Sequence, residues 1–205
     1  MVWPDSVFER LFRWDAVWYY KIAEKGYDLA PHAFLMKDGA NWAFFPLYPL
    51  LIRILSNITG ISLLVTGYLL SNILFIGVIY GCLQYYNETR GLGRNSVIAI
   101  LTTFGLYNIY FSMFYTESLA AILILGTLYA LRRDHWLTAG VLSALLSATR
   151  PTGVFIGVFF LFKLWKELKD NHWSLQSGDL RKLTAIALIP LGLSLFMAHL
   201  YITVG

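Results

Sequence analysis

Three ionisable side chains in this sequence have no opposite charge one helical turn away. Asp15 lies on the apolar face of an amphipathic helix predicted over residues 8–23, among leucine, phenylalanine and tryptophan. Glu117 and Arg150 stand in apolar segments and likewise have no local partner. Because a charge in hydrocarbon costs roughly 3 kcal/mol, such side chains mark a site or pair with one another.

These three groups suit the chemistry of a carbohydrate joined to a phosphate. A carboxylate can act as a base, and the planar fork of arginine donors matches phosphate oxygens. The chain is also 17% aromatic, so rings are available to wall a sugar site. Two plainer interpretations stay open. The first helix can lie on a membrane surface with Asp15 at the water boundary, and Glu117 and Arg150 can form a bridge that only joins two helices.

No motif for a metal, a nucleotide or a redox cofactor occurs. Asp-x-Asp, His-Glu-x-x-His, Cys-x-x-Cys, Gly-x-Gly-x-x-Gly and the P-loop are all missing, and the four histidines have no metal-ligand spacing. We therefore predict no cofactor, no metal and no nucleic-acid partner. A nucleotide-sugar donor is commonly held through a metal and paired carboxylates, whereas a lipid-phosphate donor needs less.

The elements that must position these groups are membrane helices. Of 205 residues, 58% are hydrophobic and only 14% are charged, well below the charge of a soluble domain. We predict an all-α fold, a polytopic transmembrane helix bundle, with a short helix over residues 46–56 before it. The predicted apolar segments are residues 61–86, 95–116, 117–131, 136–149, 151–162 and 183–204.

Basic residues set the predicted orientation. The connections at 87–94, 132–135 and 163–182 are basic, and they fall on one side when the segments are counted forward, as the positive-inside rule requires. Residues 1–60 then form a non-cytosolic loop with short amphipathic helices. Residues 61–205 form the bundle as one structural unit, and Asp15, Glu117 and Arg150 share the non-cytosolic side. Membrane lipids are expected partners.

Four stretches carry a family resemblance. They are residues 13–27 (RWDAVWYYKIAEKGY), 43–49 (AFFPLYP), 115–119 (YTESL) and 148–153 (ATRPTG). In this order and spacing they resemble the motifs of the PIG-V-like mannosyltransferases, a family that includes the second mannosyltransferase of GPI-anchor assembly and prokaryotic relatives within the GT-C superfamily. The resemblance covers about residues 13–153.

The resemblance implies a multi-helix GT-C enzyme that moves mannose from a polyprenyl-phosphate donor to a lipid-linked or cell-surface acceptor with inversion. Asp15 matches the loop aspartate expected to act as general base. From charge and placement we assign Arg150 to the leaving phosphate, and Glu117 to orienting it or binding acceptor hydroxyls. The substrate-binding residues that we predict are Arg13, Trp14, Trp18, Trp42, Phe45, Tyr48, Glu117 and Arg150. Trp14, Trp18, Trp42 and Phe45 suit interface anchors equally well.

Relatives in this family carry a helix before the first loop and several after the last, so we expect a truncated member. One rival function is a small transporter or flippase for a lipid or sugar, although its charges would be expected near the bilayer midplane, often with paired repeats. A second rival is a catalytically silent membrane fragment. Residues 18–20 and 45–49 resemble the prokaryotic members more closely, which favours a cell membrane over the endoplasmic reticulum.

Overall fold

The computed structural model describes residue 12 and residues 14–34, 37–90, 108–173 and 178–205, which are mostly helical. The helices are α1 (Asp15–Lys25), α2 (Leu47–Thr59), α3 (Leu63–Arg90), α4 (Ile109–Ser112), α5 (Glu117–Arg132), α6 (Trp136–Ser147), α7 (Gly157–Asp170), α8 (Asp179–Leu188) and α9 (Leu191–Val204), with 3-10 turns at Asn41–Ala43 and Pro151–Ile156. The all-α prediction is therefore confirmed.

A short hairpin between α1 and α2 is an addition that the all-α prediction missed. Strands β1 (His32–Phe34) and β2 (Lys37–Gly39) pair antiparallel, with His32 opposite Gly39 and Phe34 opposite Lys37. Three-residue strands carry too few residues for an alternating pattern to be visible in a sequence.

The helix α3 is long and apolar enough to cross a membrane. Its segment Leu63–Gln84 has a mean hydropathy of 2.0 over 18 residues, of which 28% are buried within the protein. Such an exposed apolar surface is consistent with a membrane protein. Helices α8 and α9 pass the same length and composition test only as a pair, bent by 41°. The described part of the chain thus has one helix of spanning length, or two with that pair, where six apolar segments were predicted.

Several predicted bounds need correction. The segment expected over residues 95–116 ends as the short helix α4, because Met113 is extended and the chain turns to bury Phe114; residues 95–107 lie outside the described part. The first half of the 151–162 segment is a 3-10 turn, and the last segment breaks before Pro190, which cannot donate its backbone nitrogen. Helix α2 runs to Thr59, three residues past its predicted end.

The ring of Phe114 forms the centre of the core beneath α1, α2 and α3. It is fully buried and packs edge-on against Phe12, Tyr48 and Tyr68 at centroid distances of 5.8, 5.6 and 6.0 Å. Gly67 in α3 has no side chain at this point, and a Cβ there would overlap the Phe114 ring. This packing joins the N-terminal helices to the turn that leads into α5.

Small residues bring α6 close to α8 and α9. A Cβ on Gly140 would lie 2.7 Å from the carbonyl oxygen of Ala185, and one on Gly192 would overlap the backbone of Ala144 in α6 and of Ala148 just after it. Close backbone approach of this kind is typical of helices packed in a membrane protein. It fixes the end of α6, from which the chain continues directly to Arg150.

A network of ion pairs links the turn after α5 with α7 and α8, at the end of α5 opposite Glu117. Lys163 bonds Asp134 at 2.6 Å, and Lys182 bonds Glu167 at 2.6 Å and Asp179 at 2.9 Å. Two of the predicted basic connections, residues 132–135 and 163–182, therefore meet. They lie at the end of α5 and the start of α6, away from Glu117 and Arg150. The side chains of the third connection, residues 87–94, lie outside the described part.

Candidate active site

Glu117 and Arg150 form an ion pair between two helix ends. The Arg150 Nη2 donates to Glu117 Oε1 at 2.8 Å, with the two side chains 42% and 21% exposed. Glu117 is the first residue of α5, where the helix dipole favours an acid. Arg150 is extended because it precedes Pro151, which disfavours helical backbone in the residue before it. The extended backbone after α6 thus places the Arg150 guanidinium beside the start of α5.

The second oxygen of Glu117 is different from the first. Glu117 Oε2 is buried and has no hydrogen-bond partner within the described residues. A buried carboxylate oxygen without a donor costs free energy of at least 1 kcal/mol or so. Oε1, by contrast, accepts from Arg150.

Asp15 begins α1 and reaches the same place from another part of the chain. Its backbone N–H contacts the Tyr115 hydroxyl, and Tyr115 lies two residues before Glu117. Asp15, Glu117 and Arg150 all act electrostatically on the hydroxyl of Tyr19, one helical turn after Asp15. We call Asp15, Tyr19, Tyr115, Glu117 and Arg150 the charge cluster.

Helix α1 differs from its predicted form. Residues 8–11 and 13 lie outside the described part, and Trp14 has a φ of 52°, in the left-handed region that no helix continues, so α1 begins at Asp15. The buried face of α1 is formed by Ala16, Tyr19, Ile22 and Ala23. Asp15 was expected on the apolar face, but its side chain is exposed at the edge of that face. Asp15 is the first residue of α1, so its side chain lies beyond the turns of the helix that pack against the core.

Burial sets the protonation of Tyr19. The side chain is 7% exposed, and desolvation raises the pKa of the phenol above its usual value, while the nearby Arg150 charge opposes this. The phenol is therefore neutral at physiological pH. A neutral hydroxyl can accept one hydrogen bond and donate another at the same time.

The predicted aromatic residues do not form one wall. Trp18 stacks on Phe44 at 5.7 Å, and the Trp42 Nε1 donates to the carbonyl of Asp28 at 2.6 Å within the loop before α2. Trp14 is 67% exposed. Arg13 lies outside the described residues.

Phe45 and Tyr48 face two different neighbours. Phe45 packs against Phe196 of α9 at 4.7 Å. Tyr48 is buried beneath Tyr19 at 5.7 Å, and its hydroxyl lies 2.7 Å from Ser71 Oγ and donates to the Gly67 carbonyl at 3.1 Å. Tyr48 thus supports the charge cluster from below, whereas Phe45 borders the side of α9.

An apolar groove adjoins the charge cluster. It is about 680 Å³ in volume and lies between the end of α1, the start of α2 and α9. Ala148, two residues before Arg150, lines it. Its polar side chains include His199 and Arg53, and the Arg53 Nε donates to the Ala23 carbonyl at 2.5 Å. The groove therefore combines an apolar lining with one cation, which lies beside the C-terminal end of α1.

Two residues of the cluster were not predicted from the sequence. Tyr19 follows Asp15 by four positions and so shares its side of the helix, and Tyr115 opens the YTESL stretch. Both signals are present but weak, since the chain has 13 tyrosines. Within the ranges that the structure describes, no three His, Cys, Asp or Glu side chains stand close enough together to hold a metal ion.

Comparison with known proteins identifies relatives. A family model described as Mannosyltransferase (PIG-V) matches residues 2–201. The chain is 29% identical over 166 residues to GPI mannosyltransferase 2 of Schizosaccharomyces pombe, covering 76% of this chain and 33% of that protein. It is 30% identical over 164 residues to GPI alpha-1,6-mannosyltransferase 2 of Mus musculus, covering 73% and 31%. The chain thus spans about a third of the length of these curated relatives. No solved structure matches it.

Proposed function

The chain belongs to the PIG-V mannosyltransferase family, and from that premise we propose that it transfers a mannosyl residue from a polyprenyl-phosphate donor to a hydroxyl of a lipid-linked or cell-surface acceptor. The observation that carries the proposal is the charge cluster. The Asp15 carboxylate of α1 and the ion pair of Glu117 and Arg150 act on the same Tyr19 hydroxyl, although Glu117 stands 102 positions after Asp15.

Asp15 is the general base of the proposed reaction. Its carboxylate is exposed and so open to an acceptor. The carboxylate takes the proton of the acceptor hydroxyl while that oxygen bonds to C1 of mannose, and the bond from C1 to the phosphate oxygen breaks. The attack comes from the face opposite the leaving group, so the configuration at C1 inverts. The electron pair of the broken bond leaves with the polyprenyl phosphate.

Arg150 stabilises that leaving phosphate. One further negative charge develops on the phosphate as its bond to C1 breaks. A fixed cation beside that charge stabilises the transition state. The guanidinium keeps its orientation through Glu117 Oε1.

The apolar groove receives the hydrocarbon part of the donor. Its lining is mostly apolar, and it adjoins Arg150 through Ala148. A lipid substrate also fits a chain with an exposed apolar helix α3, and we propose a multi-pass bundle in a cell membrane. The proposed transfer requires no metal.

The test compares Asp15→Asn with Glu24→Gln, a matched control on the exposed side of the same helix. Membranes that contain each variant are incubated with radiolabelled polyprenyl-phosphate mannose, and labelled acceptor is counted. Asp15→Asn should lose at least about a hundredfold in transfer because asparagine cannot take the proton. Glu24→Gln should transfer like the wild type, and both should insert equally. Wild-type transfer by Asp15→Asn would remove Asp15 from the reaction.

A further inference from the structure

The outward face of α7 carries one stripe of exposed side chains. Val158, Phe162, Trp165 and Lys169 follow one another at steps of four, three and four positions, so they share one side of the helix. The Phe162 and Trp165 rings lie 6.0 Å apart, and the Lys169 ammonium lies 5.3 Å from the centre of the Trp165 ring. The first three side chains are 47–63% exposed. Along this outward stripe the side chains change from apolar to aromatic to cationic.

The lysines of α7 differ in the direction that they face. Lys163 lies on the inward side and bonds Asp134 at 2.6 Å. Lys166 and Lys169 are exposed, and neither forms an ion pair within the ranges that the structure describes. The ammonium group of Lys163 is therefore held inside the protein, whereas those of Lys166 and Lys169 are available to an anion outside it.

The exposed charge at this end of α7 is positive. Arg181, in the first turn of α8, is exposed together with Lys166 and Lys169, and Asp170 is the exposed acid on the same two elements. Three exposed cations against one exposed acid leave two positive charges. This end of α7 adjoins the network of ion pairs, so it lies away from the charge cluster.

One leaflet of a membrane offers the same three environments in the same order. Its centre is hydrocarbon, tryptophan rings are enriched at the boundary with water, and lysine side chains extend to the headgroups. Helix α7 has 14 residues and is about 21 Å long, less than the roughly 30 Å of hydrocarbon in a bilayer. Its apolar end therefore fits within the hydrocarbon when its lysine end reaches the headgroups.

We propose that the outward stripe of α7 binds an anionic phospholipid, with the phosphate at Lys166 and Lys169 and an acyl chain along Trp165, Phe162 and Val158. The apolar length of the stripe favours a lipid over a soluble anion. The two unpaired ammonium groups favour an anionic headgroup over a zwitterionic one, which carries its own cation. This inference rests on the membrane location proposed above and not on sugar transfer.

Trp165 is the reporter in the test. The full chain is placed in phosphatidylcholine nanodiscs, and phosphatidylglycerol with brominated acyl chains is added in increasing proportion, since bromine quenches a tryptophan that it contacts. The chain has seven tryptophans, so the Trp165 signal is taken as the difference in emission between each protein and its Trp165→Phe counterpart. The variant is Lys166→Gln with Lys169→Gln, whose helix content is checked by circular dichroism.

The matched control is Lys21→Gln with Lys25→Gln in α1. It removes the same number of charges, and Lys21 lies 5.4 Å over the Trp18 ring, much as Lys169 lies over Trp165. No large apolar side chain of α1 is exposed, so α1 offers no stripe for an acyl chain.

Each lysine beside an anionic headgroup should strengthen binding about fivefold. Half-quenching of Trp165 should therefore need about 25-fold more phosphatidylglycerol in the α7 variant, and the wild-type amount in the α1 control. Brominated phosphatidylcholine should quench Trp165 equally in all three proteins. Added salt should weaken the preference for phosphatidylglycerol.

Three results would overturn the proposal. Equal quenching by the two brominated lipids in the wild type would show that the headgroup is not selected. Wild-type quenching by phosphatidylglycerol in the α7 variant would show that the lysines do not bind it. Absence of quenching by either lipid would show that protein covers the stripe. None of these measurements needs mannosyl transfer, so a failure of the proposed function is recognised separately.

Discussion

Removal of the Arg150 guanidinium should affect transfer far more than stability. The pair with Glu117 is short at 2.8 Å, but 42% of the Arg150 side chain is exposed. Partly exposed ion pairs contribute about 1 kcal/mol or less, so Arg150→Ala should lower Tm by roughly 2–4 °C in a chain of this size. The expected loss of transition-state stabilisation is larger. Removal of a cation at a leaving phosphate costs about 3–4 kcal/mol in the transition state, which is a hundred- to a thousandfold in rate.

The measurement is donor and acceptor titration in membranes that contain Arg150→Ala. Arg150 faces the phosphate of the donor in the proposed arrangement, so kcat/KM for polyprenyl-phosphate mannose should fall, while the KM for the acceptor stays near the wild-type value. Lys163→Met is the control, because it breaks the 2.6 Å ion pair with Asp134 at the other end of the helices. It should lower Tm without changing the transfer kinetics.

Two outcomes would refute this account of Arg150. Equal losses for the donor and the acceptor would indicate a bridge that only joins α5 and α6. A loss in transfer no greater than the fall in folded protein would indicate the same. Glu117→Gln is a further test of the catalytic role of Arg150. Its amide oxygen can still accept a hydrogen bond from Arg150, so this variant should keep more activity than Arg150→Ala.

Three further predictions follow from packing, the groove and burial. Gly67→Ala should destabilise the protein by about 1–3 kcal/mol, measured by thermal unfolding, because the added Cβ overlaps the Phe114 ring; an unchanged Tm would contradict that packing. Leu195→Trp should fill part of the groove and raise the KM for a long-chain donor more than for a short-chain one; equal effects would place the hydrocarbon elsewhere. Burial raises the pKa of Tyr19 and Tyr27, so the folded state keeps protons that the unfolded chain releases near pH 10; stability should fall as pH rises above that value, and less so in Tyr27→Phe.

Local features of the chain were predicted well. Helices α5 and α6 begin at the predicted residues, Glu117 and Trp136, because apolar periodicity and the charges at their ends are properties of neighbouring residues. The motif stretches, over about residues 13–153, predicted the family, and the family model that matches residues 2–201 confirms it. The absence of local partners in the sequence also singles out Asp15, Glu117 and Arg150.

Tertiary packing decided the rest, because contacts between distant residues leave no periodic trace in a chain. The burial of Phe114 ends α4 early, and the close approach at Gly67 accompanies it. The predicted aromatic residues disperse to separate neighbours, and the apolar groove depends on how α9 folds back beside α2. The position of α1 likewise depends on how it packs against α2 and α3, which no spacing within α1 specifies.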